Sequence, residues 1–117
     1  DGTDLILRRA PRGTKARGAH DMAREYRIQS ELATAIRYIA PMIAFCDDES
    51  VLGADFYVMG RIDGVIPRTE WPADVPLDAE QARRLCLNFI DTLVEVHSVD
   101  PSTTPIAARG HARVRRG

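Results

Sequence analysis

Glu25 is the residue whose placement first asks for chemistry. In the stretch AHDMAREYRIQSELATAIRYI the apolar side chains return at helical spacing, and Glu25 falls inside their stripe, between the directions of Leu32 and Ile36. A carboxylate buried there costs several kcal/mol unless a cation meets it. The basic end of the run LILRR offers Arg8 or Arg9, and alternation along a strand does not decide which of the two points inward. The other possibility is a boundary glutamate that leans into solvent. A second place lies in FYVMGRIDG, Phe56 to Gly64, where a mostly apolar run breaks at Gly60 and a short polar segment leads to Asp63-Gly64. Backbone N–H and C=O groups at the end of such a strand need partners. Water around a type I or II turn at Asp63-Gly64 could supply them, or a ligand could.

Other reactive residue types carry less. His97 lies near Asp100 on an apolar stripe, but no nucleophile or acid is spaced to work with it, so it reads as a satisfied core histidine. His20, His97 and His111 show no metal-ligand spacing. Cys46 and Cys86 stand apart and form no C-x-x-C pair, so they read as reduced thiols of a cytoplasmic protein. Lys15 is the only lysine, so chemistry that ordinarily uses lysine must fall to arginine.

A chain of 117 residues suffices for one modest domain. A net charge of −1 gives no global basic field for nucleic acid. No apolar run is long enough to span a membrane. The start, DGTDLILRR, lacks the basic-then-apolar order of a signal peptide, and it lacks Met, which suggests a beginning inside a longer protein.

The elements that must position these residues follow in order. Asp4 to Ala10 reads as a strand and Pro11 to Gly18 as a loop. A helix capped by Asp21 is expected to run to Pro41, with Met22, Ile28, Leu32, Ala33, Ile36 and Ile39 on one face. PMIAFCDD and FYVMGRI read as an antiparallel hairpin, joined by ESVLGAD with Gly53 at its turn. Val65 to Leu77, with three prolines, reads as irregular. A long helix then starts at a capping box of Asp78 and Gln81 and ends before Asp100-Pro101. Its expected buried stripe is Ala82, Leu85, Cys86, Phe89, Ile90, Leu93 and His97. The tail from 102 to 117 is rich in Arg and reads as a solvated arm. Read as an RNA binder, the chain would rest on that tail alone. The fold class is α+β, with an antiparallel sheet and helices to one side.

The phrases LILRRAPRG, AHDMAREYRIQSEL, SVLGADFYVMGRIDG and LVEVHSVDP, in this order over roughly Asp4 to Pro101, resemble the aminoglycoside phosphotransferase family of kinase-like phosphotransferases. The resemblance implies the N-terminal lobe over residues 1–101, with a hinge near 59–64 and the first helix of the second lobe at 78–98. It implies that Arg8 holds the α- and β-phosphates of ATP and that Glu25 orients Arg8. Arg stands where kinases often carry Lys; it keeps the charge and grips phosphate bidentately. Met59 would back the adenine pocket, and the backbone of Gly60, Arg61 and Ile62 would pair with the adenine edge. The family's catalytic His-Gly-Asp, its following Asn and its later magnesium-binding Asp have no counterpart in these 117 residues. Mg2+ is therefore expected only in a full-length enzyme, and this chain alone is expected to be inactive. The acceptor would be a hydroxyl of a small molecule, with aminoglycosides, sugars and choline-like alcohols all open. The alternative is a non-catalytic α+β module that binds a nucleotide or a protein. Self-association through an uncovered lobe face, including Phe56, Met59 and the long helix, is a further expectation. Neither a membrane nor nucleic acid is an expected partner.

Overall fold

The computed structural model describes residues 2–11 and 21–103. Most of the expected loop at Pro11–Gly18, and the Arg-rich tail beyond Thr103, lie outside the described residues. The chain divides into two compact units, one of Asp1–Ile62 with Pro101–Gly117 and one of Asp63–Asp100.

The first unit holds strand β1 (Leu5–Arg9), helix α1 (Met22–Leu32), strand β2 (Met42–Cys46), the one-turn helix α2 (Glu49–Leu52), strand β3 (Phe56–Gly60) and a short 3-10 turn at Pro101–Thr103. The sheet order is β1-β3-β2, and both pairings are antiparallel. Arg8 and Phe45 both stand opposite Tyr57, and Ile6 stands opposite Met59. Side chains directly opposite share a face, and so do those two residues apart. Arg8, Phe45, Tyr57 and Met59 are thus on one face, and α1 packs against it on β2 and β3. The core there is Ala10, Met22 and Tyr57, each buried, with Tyr26, Met42, Phe45 and Met59 packed around them. The Tyr26 and Phe45 rings stack at 5.7 Å between centroids. This is the expected α+β arrangement of a kinase-like N-terminal lobe.

Two expectations change in this unit. Helix α1 stops at Leu32, well short of Pro41. The Thr34 N–H and hydroxyl both turn back to the Glu31 carbonyl, at 3.2 and 2.7 Å, and Ala35 N–H bonds Leu32 O at 2.9 Å. These three-residue-back and side-chain bonds satisfy the last carbonyls locally and close the helix. Ile36 still reaches the interior, 2% exposed, but from beyond the turn at 33–35 and outside the helix. The connection ESVLGAD holds α2, which Asp48 caps by accepting from Ser50 N–H at 2.9 Å. The Ser50 hydrogen bonding holds the Asp48 carboxyl below its ordinary range. Gly53, at φ 77°, ends the turn in the left-handed region that disfavours side chains. Asp63-Gly64 makes no turn: residues 61–68 have no turn or bend.

The second unit holds an irregular segment and helix α3 (Ala79–His97). Trp71 Nε1–H donates to Val75 O at 2.7 Å and shapes the irregular part. The capping box is formed: Asp78 accepts from Gln81 N–H at 2.8 Å, and Gln81 accepts from Asp78 N–H at 2.9 Å. The stripe expected to be buried is not. Phe89 is 70% exposed, Ile90 and Leu93 are exposed, and so is His97, which is therefore not a core histidine. The amphipathic pattern is present, but one helix and an irregular segment supply no second layer to cover it. Among the described residues, no helix is long and apolar enough to cross a membrane.

Candidate functional site

The β1 register decides between the two arginines. Arg9 spends its guanidinium on structure: Nε–H donates to Leu52 O at 2.8 Å and Nη1–H to Ala10 O at 3.1 Å. Arg8, on the α1 face, meets Glu25 with Nη2 and Oε2 3.3 Å apart. Their side chains are 47% and 34% exposed, so Glu25 is a boundary carboxylate that is nevertheless paired. A pair this open to solvent contributes only about 0–1 kcal/mol by itself. Of the two alternatives the sequence left open, the structure thus gives the boundary position together with the cation partner.

A second contact restrains Glu25. The Tyr57 hydroxyl donates to Glu25 Oε2 at 3.1 Å, the same oxygen that Arg8 approaches. Gln29, one helical turn after Glu25, donates from Nε2 to Tyr57 Oη at 3.1 Å and to the Glu25 carbonyl at 3.3 Å. Burial pushes the Tyr57 phenol above its ordinary range of 10.0; the Gln29 bond opposes this, and the neighbouring Glu25 adds to it.

These residues edge a cleft of about 380 Å3 lined by Arg8, Asp21, Arg24, Glu25, Ile28, Gln29, Tyr57 and Met59. That size suits a small molecule or part of one. Its wall combines two guanidinium groups with two carboxylates and the apolar Ile28 and Met59. Arg8 carries five N–H donors and keeps nearly half its side chain in solvent, so it can meet a second anion while resting on Glu25. Among the described residues, no cluster of three or more His, Cys, Asp or Glu could hold a metal ion.

Of the residues singled out in the sequence, the cleft brings together Arg8, Glu25 and Met59. Gly60, Arg61 and Ile62 do not line it. Their backbone is also less available than expected. Gly60 N–H already donates to Pro41 O at 2.8 Å, and Arg61 N–H to Asp4 O at 3.2 Å. The Pro41 ring also crowds Gly60, where an added Cβ would lie 3.3 Å from Pro41 Cδ. Among the described residues, no hydrogen bond uses the Ile62 N–H. Sequence reasoning missed Tyr57 and Gln29. The available signal was period two: Tyr57 shares a face with Met59, and its hydroxyl needs a partner once the ring is buried.

Comparison with known proteins follows the same direction. Residues 1–116 match the model of the phosphotransferase enzyme family. Among curated proteins, the chain is 34% identical over 99 residues to acyl-CoA dehydrogenase family member 11 of Gallus gallus, covering 85% of this chain and 12% of that protein. It is 31% identical over 106 residues to acyl-CoA dehydrogenase family member 10 of Mus musculus, covering 91% of this chain and 10% of that protein. The chain thus spans only a small part of the relatives it matches. No solved structure matches it. With the family model covering nearly the whole chain, and a kinase-like sheet and helix holding an arginine–glutamate pair at a cleft, this chain belongs to the phosphotransferase enzyme family.

Proposed function

We propose that the chain provides the nucleotide-binding lobe of an ATP-dependent kinase that phosphorylates a hydroxyl group of a small molecule. The observation that carries this reading is the Arg8–Glu25 pair on the cleft wall, within a chain of the phosphotransferase enzyme family. Arg8 binds the phosphates, and Glu25 keeps its guanidinium from folding away into solvent. Met59 supplies an apolar surface beside them for the base, and Ile62 N–H is the hinge donor left to pair with it. ATP, when bound, supplies the phosphoryl group. The 117 residues contain no His-Gly-Asp motif, so the role proposed for them is nucleotide binding and not the chemical step. The free thiols Cys46 and Cys86 suit a reducing compartment such as the cytoplasm.

Titration of the chain with ATP tests this. Arg8→Ala is expected to weaken ATP binding about tenfold or more, as loss of a hydrogen bond to a charged group would. Glu25→Ala is expected to weaken ATP and to lower stability by about 1 kcal/mol. Lower stability with unchanged ATP affinity would leave Arg8–Glu25 as a purely structural pair. A second reading, a non-catalytic module that binds a protein through apolar surface, is favoured by the exposed Phe89, Ile90 and Val94 on α3. Absence of any ATP binding by the unaltered chain would overturn the kinase reading and leave the second.

A further inference from the structure

We propose that Tyr57 is a positioning residue: held by Gln29, its hydroxyl fixes the Glu25 carboxylate and so confines Arg8 to one orientation at the cleft. The proposal rests on the reading that the cleft takes the phosphates of a nucleotide. Four observations support it. First, the Arg8–Glu25 contact is half exposed and too weak to hold two long side chains in one geometry. Second, Tyr57 is 1% exposed, with its ring 6.0 Å from Tyr26 between centroids and packed in the core, so its hydroxyl is rigidly placed. Third, Gln29 donates to Tyr57 Oη at 3.1 Å, which directs the Tyr57 O–H toward its acceptor, Glu25 Oε2, also at 3.1 Å. Fourth, that oxygen is the one Arg8 approaches at 3.3 Å, so the order of the buried phenol passes directly to the exposed guanidinium. A phenol is already protonated, and hence a donor, at ordinary pH, and burial shifts the Tyr57 phenol further in that direction.

Tyr57→Phe removes the hydroxyl and keeps the ring, and Gln29→Met removes the donor at similar length. Both are tested in the full chain by NMR relaxation of the Arg8 Nε–H group and by titration with ATP and, separately, adenosine. The expected result for Tyr57→Phe is a more mobile Arg8, ATP binding weakened about fivefold, and adenosine binding unchanged. Gln29→Met moves both readouts in the same direction by less, and it carries the test should Tyr57→Phe fail to fold. Arg8 relaxation that matches the unaltered chain in the folded variants overturns the proposal, because a merely structural tyrosine would leave that guanidinium untouched. If the unaltered chain binds no ATP, the kinase reading fails, while Arg8 relaxation still decides the role of Tyr57.

Discussion

At the scale of residues, one oxygen matters most. Glu25 Oε2 receives both Arg8 and Tyr57, and only one of these partners is buried. The buried one carries a pH signature. Its phenol titrates above the ordinary value in the folded chain and at that value when unfolded, so between the two the folded state holds more protons than the unfolded one. Stability linked to Tyr57 is therefore complete below the ordinary phenol range and is lost as pH rises through the folded value. Urea midpoints followed from about pH 9 to 11 should fall more steeply for the unaltered chain than for Tyr57→Phe. Equal slopes would mean that the burial of Tyr57 is not felt by its hydroxyl. Glu25 and the Arg8/Arg9 choice were legible in the sequence as a question, because a carboxylate in an apolar stripe needs a cation. Residue pattern alone left the answer open, since it depends on a cross-strand register that pairs Arg8 with Tyr57; the family resemblance is what pointed to Arg8. Tyr57 itself was hidden in a run where aromatic and aliphatic residues look equally like strand.

At the scale of elements, local chemistry was the more readable part. The capping box at Asp78 and Gln81, the Asp21 cap and the β2–β3 hairpin follow from short-range residue preferences. Asp78→Ala is expected to destabilise the unit that holds α3 by about 1 kcal/mol, read as a lower helix melting midpoint by circular dichroism. An unchanged midpoint would show that α3 does not depend on its first turn. The end of α1 was misread because periodicity continues past the helix: Ile36 keeps the apolar spacing while the backbone has already turned at Thr34. Periodic pattern reports which side chains seek the interior, not which backbone carries them there. The α3 stripe shows the complementary limit. An apolar face can be read from the sequence, but what covers it cannot.

At the scale of the whole molecule, the division of the chain between Ile62 and Asp63 sets the limits of what was legible. The first unit carries the sheet, α1 and the cleft, and its fold class was readable from element order. The second was readable as a helix, which the family resemblance set beyond a hinge near 59–64. The site draws its parts from distant positions: Arg8, Glu25 and Tyr57 meet only when β1 has joined β3. Strand β3 sits at the centre of the sheet, and its two neighbours reach it across very different lengths of chain. Pairing with β2 closes the short connection between Cys46 and Phe56, whereas pairing with β1 closes everything between Arg9 and Phe56. Loop-closure scaling makes the second event costlier by about 1.4 kcal/mol. The hairpin is therefore expected to zip first and β1 to dock late, and the same order reversed makes β1 the first strand to peel away. Native-state hydrogen exchange should find the amides of β1 opening at lower free energy than those shared by β2 and β3. Uniform protection across the sheet would instead mark one cooperative block. With late docking, the guanidinium of Arg8 arrives last, and transient loss of the edge strand would erase the proposed phosphate site while the hairpin remains folded.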